Sequence, residues 1–95
     1  LYLERADAAI KALEYCTSEN FEEEWRKSSH LLKGASGNLG AKKMFALCHT
    51  AEMEYNKPQE TKVEMLKELR NELSKIRLFI EYIQGDNYDY NTMRG

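Results

Sequence analysis

The chain has 95 residues, enough for one domain with one hydrophobic core and too few for a separate catalytic domain. Its 42% hydrophobic and 32% charged residues suit a water-exposed helical protein, and a net charge of -2 argues against a nucleic-acid binder, which carries a basic stripe. Two cysteines without metal-type spacing, and no apolar run near about 18 residues, argue against a disulfide framework, a zinc module and a membrane span.

One proline and five glycines favour long, uninterrupted helices. The first is expected over residues 1–16, where Leu3, Ala6, Ile10 and Leu13 recur at spacings of three and four. Cys16, like Cys48 further on, sits at a core-compatible position and reads as a small buried thiol in a reducing compartment. Residues 17–20 interrupt the stripe. Asn20, with Glu23 three residues on, predicts an N-cap and capping box for a second helix. The acidic run Glu22, Glu23 and Glu24 then suits the positive end of the helix dipole and needs no metal.

The second helix is expected from Phe21 to Leu39, with Gly40 as its stop. At about 100° per residue, Trp25, Ser28, Leu32, Ala35, Ser36 and Leu39 fall within roughly 60° of Phe21 and form the inner face. His30 lands on the opposite side at roughly 180°, among Arg26, Lys33, Gly34 and Gly37. A third helix is expected over residues 41–55, with Met44, Leu47, Cys48, Ala51 and Tyr55 on one face and Phe45 at its edge. His49 lies off that face, without a lysine three residues on or a glycine four residues on, and reads as a solvated histidine. Residues 56–60 form a loop. Thr61 and Glu64 predict a capping box for a fourth helix over residues 61–84, stopped by Gly85. Its stripe is Leu66, Leu69, Leu73, Ile76, Ile80 and Ile83, a seam that suits either a coiled-coil dimer or, as the favoured reading, cover by the three shorter amphipathic helices of the same chain. The expected fold is therefore all-α, an antiparallel up-down four-helix bundle over residues 1–85, followed by a polar tail, 86–95, with Tyr88 and Tyr90.

The outer face of the second helix carries the chemistry. A water-facing imidazole keeps a nitrogen that is nucleophilic near neutral pH. Lys33, one turn on from His30, places a cation beside an anion held there. Gly34 and Gly37 each cost about 1 kcal/mol in a helix interior relative to alanine, and close approach of another surface to His30 accounts for both.

The stretch His30-Leu31-Leu32-Lys33-Gly34-Ala35-Ser36, followed by Gly40 and Ala41, resembles the signature of histidine-containing phosphotransfer (HPt) domains. His30, Lys33, Gly34, Ser36 and Gly40 match its spacing, Leu32 fits its apolar position, and Phe21 and Trp25 fit the apolar positions upstream. Many members carry another short helix before the position of Leu1. The resemblance implies a carrier that takes a phosphoryl group on His30 from a receiver-domain aspartate and passes it to a second receiver. Lys33 would offset its charge, Gly34 and Gly37 would admit the receiver, and Arg26 and Lys27 would steer it. The expected partners are response-regulator receiver domains and a sensor histidine kinase. Magnesium belongs to the receiver, and this chain has no cofactor of its own. A cytoplasmic monomer without an ATP site, nucleic-acid partner or membrane insertion completes the expectation. The competing readings are a non-phosphorylated helical adaptor that binds receivers and the phosphoacceptor domain of a chemotaxis-type kinase. Metal binding by His30 and His49 lacks further ligands.

Overall fold

The computed structural model describes residues 1–94, with side chains described through Gln84. Four helices follow one another: α1 (Tyr2–Tyr15), α2 (Glu22–Leu39), α3 (Lys42–Met53) and α4 (Gln59–Arg94), with a short 3-10 turn, Glu19–Phe21, before α2. No strand occurs among the described residues. Each helix packs on its two neighbours in ring order, giving an up-down four-helix bundle. No helix among the described residues is long and apolar enough to cross a membrane.

The apolar stripes close one core. Ala6, Ile10 and Leu13 of α1 meet Trp25 and Leu32 of α2, Met44, Cys48 and Ala51 of α3, and Leu66, Leu69 and Leu73 of α4. Both cysteines are free and buried, and burial pushes the Cys48 thiol up to about 12, so neither offers a ready nucleophile. Trp25 is fully buried and donates its indole N–H to the Ala51 carbonyl at 2.8 Å, tying α2 to α3. The Lys62 ammonium lies 5.5 Å from the centre of the same ring. Asp7 with Arg77 and Glu14 with Arg70 join α1 to α4 at the surface.

The α2–α3 turn is a Schellman cap. Gly40 takes φ 84°, its N–H bonds to the Gly37 carbonyl, and the Ala41 N–H bonds to the Ser36 carbonyl at 2.9 Å. A turn this short holds α3 antiparallel against the C-terminal part of α2.

The helix starts and one end differ from expectation. Asn20 does not cap α2: it lies within the 3-10 turn, Phe21 takes the cap position without a side-chain bond, and Glu23 bonds to Arg26 instead. The buried face of α2 is Trp25, Ser29, Leu32 and Ser36, so its centre is turned roughly 50° from the direction of Phe21. Phe21 and Leu39 are consequently exposed, and Ser29 replaces Ser28 inside. The fourth helix starts before Thr61, because the Pro58 carbonyl already accepts the Lys62 N–H; Glu64 pairs with Lys67. Gly85 does not stop it. A glycine in a helix interior costs only about 1 kcal/mol, and no proline follows to block the next turn. The side chains of Tyr88 and Tyr90 lie outside the described residues.

Candidate functional site

The 50° turn of α2 decides what His30 meets. It sits neither on the crest of the helix nor in the core, but leans over the seam with α3. Its side chain is 64% exposed. Nδ1 lies 2.8 Å from Oε2 of Glu52 on α3, at hydrogen-bond distance. Nε2 is left as the ring nitrogen outside this contact.

Glu52 is shared. Its other oxygen, Oε1, lies 2.6 Å from the Lys33 ammonium, and the carboxylate is only 13% exposed. The Lys33 ammonium, and then His30, hold the Glu52 carboxyl below the usual carboxylate range, against the desolvation of its site. The ionised carboxylate accepts a hydrogen bond from Nδ1–H, which favours the tautomer whose lone pair is on Nε2. The arrangement is an exposed imidazole held by a carboxylate from α3, which the Lys33 ammonium in turn restrains.

Lys33 is half-buried, although the helical wheel put it on the outer face. Its ammonium lies between Glu52 and Phe45 of α3, 5.9 Å from the centre of the Phe45 ring. Gly34 has open space above it: a Cβ there would meet nothing within 4 Å. Gly37 is different. A Cβ there would lie 3.2 Å from Cδ2 and 3.4 Å from Cε2 of Phe45. Arg26 and Lys27 line an open depression of about 370 Å³ together with His30, Leu31 and Glu52. Arg26 is held by Glu23, which raises the guanidinium and lowers the carboxyl. His49 is exposed, and no group of three or more side chains suited to hold a metal occurs among the described residues. Ser36 is fully buried, its hydroxyl 2.9 Å from that of Tyr2, and serves packing.

Of the six expected residues, Arg26, Lys27 and His30 line one depression with Glu52, Lys33 reaches Glu52 from the seam, Gly34 lies open, and Gly37 lies against the Phe45 ring. Glu52 escapes the sequence reading, although a signal exists. With α2 and α3 antiparallel about Ala41, positions equally distant from it face each other. Gly37 and Phe45 lie four residues to either side of Ala41; His30 and Glu52 lie eleven. Reflection about the turn would have selected Glu52.

A family model described as Hpt domain matches residues 1–78. No curated protein and no solved structure matches the chain.

Proposed function

The chain belongs to the Hpt domain family, whose members are carriers in histidine phosphotransfer and not kinases, and on that premise we propose that His30 is the residue that carries the phosphoryl group. The observation that carries this reading is the contact between His30 Nδ1 and Glu52, which leaves Nε2 as the nucleophile.

A receiver domain arrives with an acyl phosphate on its aspartate. The Nε2 lone pair attacks phosphorus in line while the bond from phosphorus to the aspartyl oxygen breaks, and that electron pair leaves on the carboxylate. The proton on Nδ1 stays in place, so the ring becomes cationic as it is phosphorylated. Glu52 accepts the Nδ1 hydrogen bond throughout and compensates that charge. Lys33, adjacent on the other carboxylate oxygen, offsets charge on the phosphoryl oxygens. The same steps in reverse deliver the group to a second receiver. Positioning and charge do the chemistry, so no metal or nucleotide is required of this chain; magnesium belongs to the receiver's acidic pocket.

Gly34 supports the reading as the place where a receiver surface comes close, because nothing covers it. Arg26 and Lys27 border the same depression and steer an acidic partner. The working unit is the bundle over residues 1–85, with α4 running on past it to Arg94, acting as a cytoplasmic monomer between a sensor kinase and receivers.

The test is to mix the chain with a receiver whose aspartate carries a labelled phosphoryl group, in the presence of magnesium, and to map acid-labile, alkali-stable label. The expected result is label on His30, absent from a folded His30→Gln variant. Label retained by that variant would move the site elsewhere. A folded chain that takes no label across a panel of receivers would support a non-phosphorylated adaptor instead.

A further inference from the structure

Gly37 was expected to face a docking partner, yet its neighbour is within the chain. The Phe45 ring lies over it so closely that an alanine methyl would stand 3.2 Å from Cδ2, tighter than ordinary contact. The same ring stands beside the Lys33 ammonium, 5.9 Å from the ring centre. Phe45 and Glu52 are seven residues apart on α3, two helical turns, and so share one face. Lys33 therefore has a wall on one side, the aromatic ring, and an anchor on the other, the carboxylate 2.6 Å away.

We propose that Phe45 is a positioning residue for Lys33, confining the ammonium to the side of the seam where His30 and Glu52 stand, and that Gly37 is the clearance that lets the ring occupy this place. The proposal rests on the reading that Lys33 offsets phosphoryl charge at His30. It assigns Gly37 an intramolecular role in place of a partner contact. A lysine stem has several rotatable bonds, and a ring against it removes conformers in which the ammonium turns to water. The attraction of a cation to an aromatic face adds to the steric restraint.

The experiment compares wild type with Phe45→Ala, Phe45→Tyr, Gly37→Ala, the double variant Gly37→Ala/Phe45→Ala, and Lys33→Ala. Two quantities are read. The first is transfer from a phosphorylated receiver, resolved into maximal rate and half-saturating receiver concentration. The second is the titration of the Glu52 carboxyl by 13C NMR on the unphosphorylated chain, which requires no transfer at all.

Phe45→Ala is expected to lower the maximal rate about two- to fivefold with half-saturation unchanged, the effect of losing a partly exposed cation–aromatic contact. Phe45→Tyr restores it. Gly37→Ala slows transfer by displacing the ring, and the double variant is no slower than Phe45→Ala alone, because the ring is already gone. The Glu52 midpoint rises toward the ordinary carboxylate range in Lys33→Ala and in Phe45→Ala, and stays in place in Phe45→Tyr. Two results overturn the proposal: a Glu52 midpoint insensitive to Phe45→Ala, or Gly37→Ala and Phe45→Ala effects that multiply and appear in half-saturation, as a receiver contact would give. If Lys33→Ala leaves the rate unchanged, or if even wild type accepts no phosphoryl group, the functional reading fails separately, and the titration still decides whether Phe45 holds Lys33.

Discussion

His30 and Glu52, on different helices and 22 residues apart, meet at 2.8 Å through Nδ1 and Oε2. With Nδ1–H donating to the ionised carboxylate, the outward Nε2 carries the ring's lone pair. The contact also ties the orientation of the His30 ring to the packing of α2 against α3, so site and fold share one seam.

Removing the carboxylate tests that dependence directly. Glu52→Ala should leave the bundle helical and slow phosphoryl acceptance about tenfold, the low end for loss of a charge-assisted hydrogen bond. Long-range 1H–15N NMR should show the His30 ring shifting from the Nδ1-protonated tautomer in wild type toward the Nε2-protonated one in the variant. Identical tautomer populations in the two proteins would leave Glu52 without an orienting role.

Gly34 separates stability from docking. Gly34→Ala adds a methyl where nothing lies within 4 Å and should raise bundle stability by about 0.5–1 kcal/mol in thermal or urea unfolding. The same variant should weaken transfer, and Gly34→Glu should weaken it further through bulk and like charge. Transfer kinetics unaffected by either substitution would show that no receiver surface comes close at this point.

Gly40 makes the opposite kind of prediction. Its φ of 84° belongs to the left-handed region, where a side chain is strained whatever the free space. Gly40→Ala should therefore cost about 1–2 kcal/mol, with Gly40→Asn costing less. Urea unfolding midpoints measure both; an alanine variant as stable as wild type would show that the turn adopts another geometry in solution.

Acid should erode the seam before it unfolds the bundle. The Lys33 ammonium, and then His30, hold the folded Glu52 carboxyl below its ordinary value of 4.5. Its contribution to stability is complete above that value and is lost as pH falls through the depressed one. The stability gap between wild type and Glu52→Gln should accordingly be widest at neutral pH and narrow as pH falls below the ordinary value of 4.5. A gap constant from pH 7 to pH 3 would mean that Glu52 titrates alike in folded and unfolded chains.

What was legible in the sequence was whatever repeats along one helix. The stripe Ala6, Ile10 and Leu13 and the stripe Leu66, Leu69 and Leu73 are buried as their spacing requires. His30 and Lys33 stand one turn apart on α2, as read. Less legible was the exact heading of α2 in the bundle. Phe21 looks like a core residue by spacing, but the 3-10 turn before α2 takes it out of the helix and leaves it exposed. The reference direction shifts with it, which moves Lys33 from the crest into the seam. Individual contacts across helices are not legible in the periodicity of either helix. Glu52 has no local pattern, and Phe45 over Gly37 is visible only once the two helices are folded about Ala41. Periodicity assigns a face to each helix, whereas the Schellman turn assigns the neighbour.

The placement of Trp25 has a practical consequence. It is the sole tryptophan of the chain, it is fully buried, and its indole N–H bonds to Ala51, the residue immediately before Glu52. The chain thus contains its own optical probe one residue from the carboxylate that orients His30. Intrinsic fluorescence, excited at the red edge where the tyrosines are silent, would report whether docking or phosphorylation loosens the two central helices without any label.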